Sequence, residues 1–211
     1  MAQMQTATKR SVKLSAQYKT VVDDQEVQDA CCLVQEDEFK GAKIFVDMLQ
    51  LWDVHVSLTR EVFIASVLKT DNLPSSVVAL LKNQDDLGAN LEQFCGKQAG
   101  DHYAELLKIH VRQEIEIVDA ILAGLDPKNI ITNWYQNGKK IARFLSCNVR
   151  GIKYEKMLKL MTDHLDCTLN EAGFIIPKDW PKSQEEYVLC LKRTKTLSNY
   201  IAKRIARNRK H

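Results

Sequence analysis

From residue 43 onward, apolar residues recur at alternating steps of four and three, the spacing that places side chains on one face of a helix. The first stripe runs Ile44, Met48, Leu51, position 55, Leu58, Val62 and Ala65. It stops near Thr70-Asp71-Asn72, where Pro74 opens the next segment. Residues 75–95 predict one or two short helices, interrupted near Asn83 and Gly88. A second long stripe runs Tyr103, Leu106, positions 110 and 113, Ile117 and Ala120, with Gly124 as its end. Asp126-Pro127 is a turn and helix entry. The third stripe takes Ile130, Trp134, position 137, Ile141 and Phe144. After a break at Arg150-Gly151, the fourth takes Tyr154, Met157, Met161 and positions 164, 168 and 171, ending near Gly173.

Four amphipathic helices of similar length with modest connections predict an all-α fold, an antiparallel four-helix bundle with short extra helices. Residues 41–176 form the bundle in this reading. Residues 1–40 form an extended N-terminal arm, with Gln25–Phe39 as a helical candidate. Residues 177–211 form a linker, bracketed by Pro177 and Pro181 and containing Trp180, and a basic C-terminal helix. Ser183 with Glu186 has the spacing of a capping box for that helix. Its inner face would carry Tyr187, Leu191, Thr194, Ser198, Ile201 and Ile205.

The positions left open in the four stripes are polar. Position 55 is His, 110 is His, 137 is Asn and 164 is His. Each long helix thus puts one imidazole or amide on its seam near mid-length, and facing mid-helix positions are where bundle sites are built. Further polar groups stand nearby: Thr59, Glu114 and Thr168 one turn on, with Gln113 and Glu171 at seam positions and Trp52 beside His55. Three readings remain open. The layer could be a hydrogen-bonded set that fixes helix register. It could hold a transition metal such as Zn on neutral imidazoles, or a small ligand. One His could also serve in acid–base chemistry. The Glu-x-x-His pairs of di-iron bundles and HExxH are absent.

Charge adds a second candidate. The chain has 30 Lys and Arg, 27 Asp and Glu, and a net charge of +3. Nine of those cations fall in residues 182–211 against two Glu, so residues 1–181 are slightly acidic. Lys203, Arg204, Arg207, Arg209 and Lys210 could meet nucleic-acid phosphates or another acidic surface, or form a solvated face at a helix C-terminus. GxxxxGK[ST], GxGxxG and GxSxG are all absent, which removes the usual nucleotide and hydrolase loops. No apolar run approaches a membrane span, and no secretory signal opens the chain. Six cysteines without CxxC spacing read as free thiols in an intracellular, reducing compartment.

Leu51-Trp52-Asp53-Val54-His55-Val56-Ser57-Leu58-Thr59-Arg60 resembles the LWxxHVxxTR opening of a family of small four-helix proteins. Members are often labelled acetylglutamate kinase, although they look nothing like an amino-acid kinase. Leu80-Leu81-Lys82-Asn83, Asp86-Leu87-Gly88, Leu106 to His110, Trp134-Tyr135-Gln136-Asn137 and Met161-Thr162-Asp163-His164-Leu165 continue the resemblance over residues 43–173. Leu58 departs from it, since many relatives have Trp there. The resemblance implies a helical bundle without an assigned activity, in bacteria and in large DNA viruses, where a virion role is conceivable. The expectation is therefore a non-enzymatic structural or interaction protein whose tails bind neighbouring chains, plausibly a minor capsid protein. The alternative is a metal- or ligand-binding bundle centred on His55, His110, Asn137 and His164.

Overall fold

A computed structural model describes the backbone of residues 36–208 and the side chains of residues 41–207. The expected N-terminal arm lies outside the described residues except for its end, where the first helix begins. Arg209 and Lys210 also lie outside them. Contacts divide the chain into residues 1–40 and 41–211, and the bundle is built by the second unit. The described residues are all-α: α1 Glu36–Leu68, α2 Leu73–Cys95, α3 Lys97–Leu122, α4 Lys128–Asn148, α5 Tyr154–Ile175 and α6 Trp180–Asn208. They contain no strand.

Short connections make α2 through α6 pack successively, each against the next. α1 is tied in by side chains. Asn83 Nδ2 donates to the Leu51 carbonyl at 3.0 Å and Asn90 Nδ2 to the Ile44 carbonyl at 3.4 Å, joining α2 to α1. On the other side Arg60 pairs with Glu171 of α5 at 2.5 Å, and its second terminal nitrogen reaches Ser183 Oγ of α6 at 3.3 Å. The main apolar core draws on every helix, with Met48, Trp52, Leu87, Leu107, Trp134, Met161 and Ile201 among its members.

Two elements differ from the sequence reading. Residues 73–95 are one helix, the first of the two alternatives, and it runs without the interruption expected near Asn83 and Gly88. Asn83 stays helical because its amide caps a carbonyl of α1, and Gly88 because its bare Cα is where α3 comes closest. A Cβ on Gly88 would lie 2.7 Å from both Ala104 Cβ and the Gly100 carbonyl oxygen. Gly88→Ala is therefore expected to destabilise the protein by about 1–3 kcal/mol through overpacking, despite the better helix propensity of alanine. A thermal melt of the variant measures this.

The C-terminal helix also begins earlier than the Ser183–Glu186 pair suggested. Asp179 Oδ1 accepts from the Lys182 N–H at 3.3 Å, and the Pro181 ring fits a first turn that needs no N–H from it. Ser183, fully buried, turns its hydroxyl onto the Trp180 carbonyl instead. Leu197, Ile201, Ala202 and Ile205 of α6 belong to the same core as the rest of the bundle. This helix is part of the packed body.

Candidate metal centre

His55, His110, Asn137 and His164 all meet in the bundle interior, each no more than 3% exposed. Every helix contributes to their layer: His55 from α1, Gln84 from α2, His110 and Glu114 from α3, Asn137 from α4, His164 and Thr168 from α5, and Thr194 from α6. Mid-helix seam positions converge when helices of similar length pack side by side, which is why a one-dimensional pattern could locate the layer.

Each imidazole is held from behind by its Nδ1. Gln84 Nε2 lies 3.3 Å from His55 Nδ1, Asn137 Oδ1 lies 3.1 Å from His110 Nδ1, and Thr194 Oγ1 lies 3.2 Å from His164 Nδ1. The rings also pack on one another and on tryptophans. Trp52 meets His55 and His164 edge-on at centroid distances of 5.3 and 5.8 Å. Trp134 stacks on His110 at 5.0 Å. All three Nε2 atoms are buried and lack a hydrogen-bond partner, as do both carboxylate oxygens of Glu114. Ligand atoms of His55, His164 and Glu114 lie within 4.8 Å of one another, and His110 Nε2 is 2.9 Å from Glu114 Oε1.

That last distance carries a chemical consequence. Asn137 donates through Nδ2 to the Leu106 carbonyl at 3.1 Å, which fixes its Oδ1 toward His110. An amide oxygen only accepts, so His110 Nδ1 carries the proton. In a neutral His110, Nε2 is then a lone pair facing a carboxylate oxygen. Two acceptors in contact inside an apolar core need a proton or a cation to compensate them.

Electrostatics favours neutral imidazole at His55. Burial first, then the neighbouring His164 and His110, holds its pKa well below 6.5. A His that is neutral when folded and titrates normally when unfolded contributes stability above about pH 6.5 that is lost as pH falls below it. Glu171 acts in the opposite sense. Burial outweighs its pairing with Arg60 and raises its pKa from 4.5 to about 7, so its contribution declines as pH rises through that window. With chelator present, wild type is therefore expected to lose stability relative to His55→Gln as pH falls from 6.5 to 5. The slope of the difference should be no more than about 1.4 kcal/mol per pH unit. Chemical denaturation across that range measures it.

Some expected assignments change. Asn137 sits behind His110, its Oδ1 at 3.1 Å from Nδ1. Glu114, expected beside the layer, is at its centre, while Gln113, placed on the seam, is only half-buried. Thr168 bonds back to the His164 carbonyl at 3.0 Å, and Thr59 is buried next to the layer without a hydrogen-bond partner for its hydroxyl. Gln84 was missed because it sits in the segment expected to be broken. Thr194 was placed on an inward face, but nothing in the sequence said which helix that face met. A cavity touching Glu114 and Thr168, walled by Phe63, Ile117, Val118 and Trp134, measures about 10 Å³, room for about one water.

No protein-family model, curated protein or solved structure matches this chain, so the functional reading rests on the geometry above.

Proposed function

We propose that this bundle is a metal-binding protein whose centre is formed by His55, His164 and Glu114, with His110 against the carboxylate of Glu114. The observation that carries the reading is the buried convergence of His55, His164 and Glu114 ligand atoms within 4.8 Å, with His110 Nε2 2.9 Å from Glu114 Oε1. Two imidazoles and one carboxylate form a nitrogen- and oxygen-rich set that suits Zn and neighbouring first-row divalent ions. The hydrogen-bond partners behind His110 and His164 supply the outer support that ligating histidines usually have. At His55 the partner is a donor instead: Gln84 Nε2, held by the Leu80 carbonyl at 2.7 Å and Asn83 Oδ1 at 3.1 Å, meets Nδ1. The adjoining cavity has room for no more than a water, which argues against an organic ligand. A metal there would link α1, α3 and α5 at mid-height and neutralise Glu114. Titrating metal-free protein with Co²⁺ tests this. A saturable visible absorption band at one equivalent is expected, lost in His164→Ala, and a featureless titration would contradict the reading.

A second reading is an interaction protein. Lys192, Lys195, Lys203 and Arg207 are exposed at helical spacing along the outer face of α6, while Leu197, Ile201 and Ile205 face the core. Such a stripe suits an acidic protein surface or nucleic acid. Binding to duplex DNA that weakens steeply with salt supports phosphate contact, and salt-insensitive binding or none opposes it.

A further inference from the structure

Cys167 on α5 and Cys190 on α6 share one buried apolar cluster with Val56, half-covered by Tyr187 and Leu191. Both are free thiols, and Cys167 Sγ donates to the His164 carbonyl at 3.1 Å. Two thiols buried in one cluster between two packed helices are placed for disulfide formation. The pair also adjoins the polar layer. Cys167 lies one turn beyond His164, and Cys190 one turn before Thr194, whose hydroxyl holds His164 Nδ1 at 3.2 Å. A second tie between the same two helices lies beside it, where Arg193 donates to the Asp163 carbonyl at 3.2 Å.

We infer that Cys167 and Cys190 are a peroxide-responsive modification site, closing to a disulfide that fastens α6 to α5 beside His164. The chemistry needs only hydrogen peroxide as oxidant. The sulfur of one cysteine attacks the O–O bond, giving a sulfenic acid and one water. The other sulfur displaces the hydroxyl from that sulfenic acid, forming the S–S bond and releasing a second water. Two thiol protons and two electrons leave the protein in all. Peroxide is small and uncharged, so it can reach a buried pair when α6 opens locally, and the reaction is expected to be slow beside that of the exposed Cys147. The bond cross-links the chain beside Thr194 and restricts the unfolded state. This inference holds whether or not the histidine layer carries a metal.

The test is peptide mapping of the native full-length chain after treatment with hydrogen peroxide and quenching. Trypsin should yield residues 160–178 joined to residues 183–192, at a mass two hydrogens below the sum of the two peptides. The oxidised protein should melt higher than the reduced one, and dithiothreitol should reverse both changes. Cys190→Ser should lose the linked peptide and the shift together. The proposal is overturned if the linked peptide forms only in denaturant, or if Cys167 and Cys190 are recovered as separate thiols or oxyacids. A linked protein that melts lower also overturns it, because the bond would then oppose the fold. The wild-type map needs no variant, so a Cys190→Ser chain that failed to fold would not blunt the test.

Discussion

Trp52→Ala is expected to destabilise the protein by about 3–5 kcal/mol, the range for removing a large buried aromatic. In a chain of this length that lowers the melting temperature by on the order of 10 °C. Trp52 is 1% exposed and stands against two of the proposed ligands. Its loss opens a cavity where His55 and His164 are wedged, so both rings gain rotamers and metal affinity should fall along with stability. Trp52→Phe keeps an aromatic edge on the histidines and removes the unpartnered indole N–H. It should retain most of the stability and the metal. Thermal melts of the two variants, each with and without added metal, measure these effects.

Glu114→Gln is expected to have effects of opposite sign in the two states. In metal-free protein, both oxygens of the buried carboxylate lack hydrogen-bond partners. An uncharged amide removes that desolvation cost and offers an N–H to His110 Nε2. The apo protein should gain about 1–3 kcal/mol. With saturating metal, wild type should gain about 4 kcal/mol at a thousandfold excess over Kd, and the variant little of it. The two stability curves should therefore cross as metal is added. A purely hydrogen-bonded layer would show no such crossing.

Much of this was legible in the sequence for identifiable reasons. The four stripes locate α1, α3, α4 and α5 because helix period and burial reinforce each other along each seam. His55, His110, Asn137 and His164 stand out because they break those stripes at matching heights. Other features depend on geometry that a single strand of text does not carry. Gly88 resembles a helix breaker until α3 is seen lying against it. Glu114 is one residue from the seam position taken by Gln113, and only the actual rotation of α3 decides which of them enters the core. Gln84 and Thr194 act across helix pairs, from segments whose neighbours could not be named in advance. The basic C-terminal segment reads as a tail by charge, yet Ile201 and Ile205 on its other face are fully buried.

The central claim is that the layer binds a metal, and the most direct test is metal content by mass spectrometry on untagged wild-type protein beside Glu114→Gln and His164→Ala. Stoichiometric transition metal in wild type and little in either variant is the predicted result. Folded wild-type protein without bound metal, which also fails to take up Zn²⁺, Fe²⁺, Mn²⁺ or Co²⁺ on dialysis, would contradict the account and leave the three histidines as structural polar groups of the core.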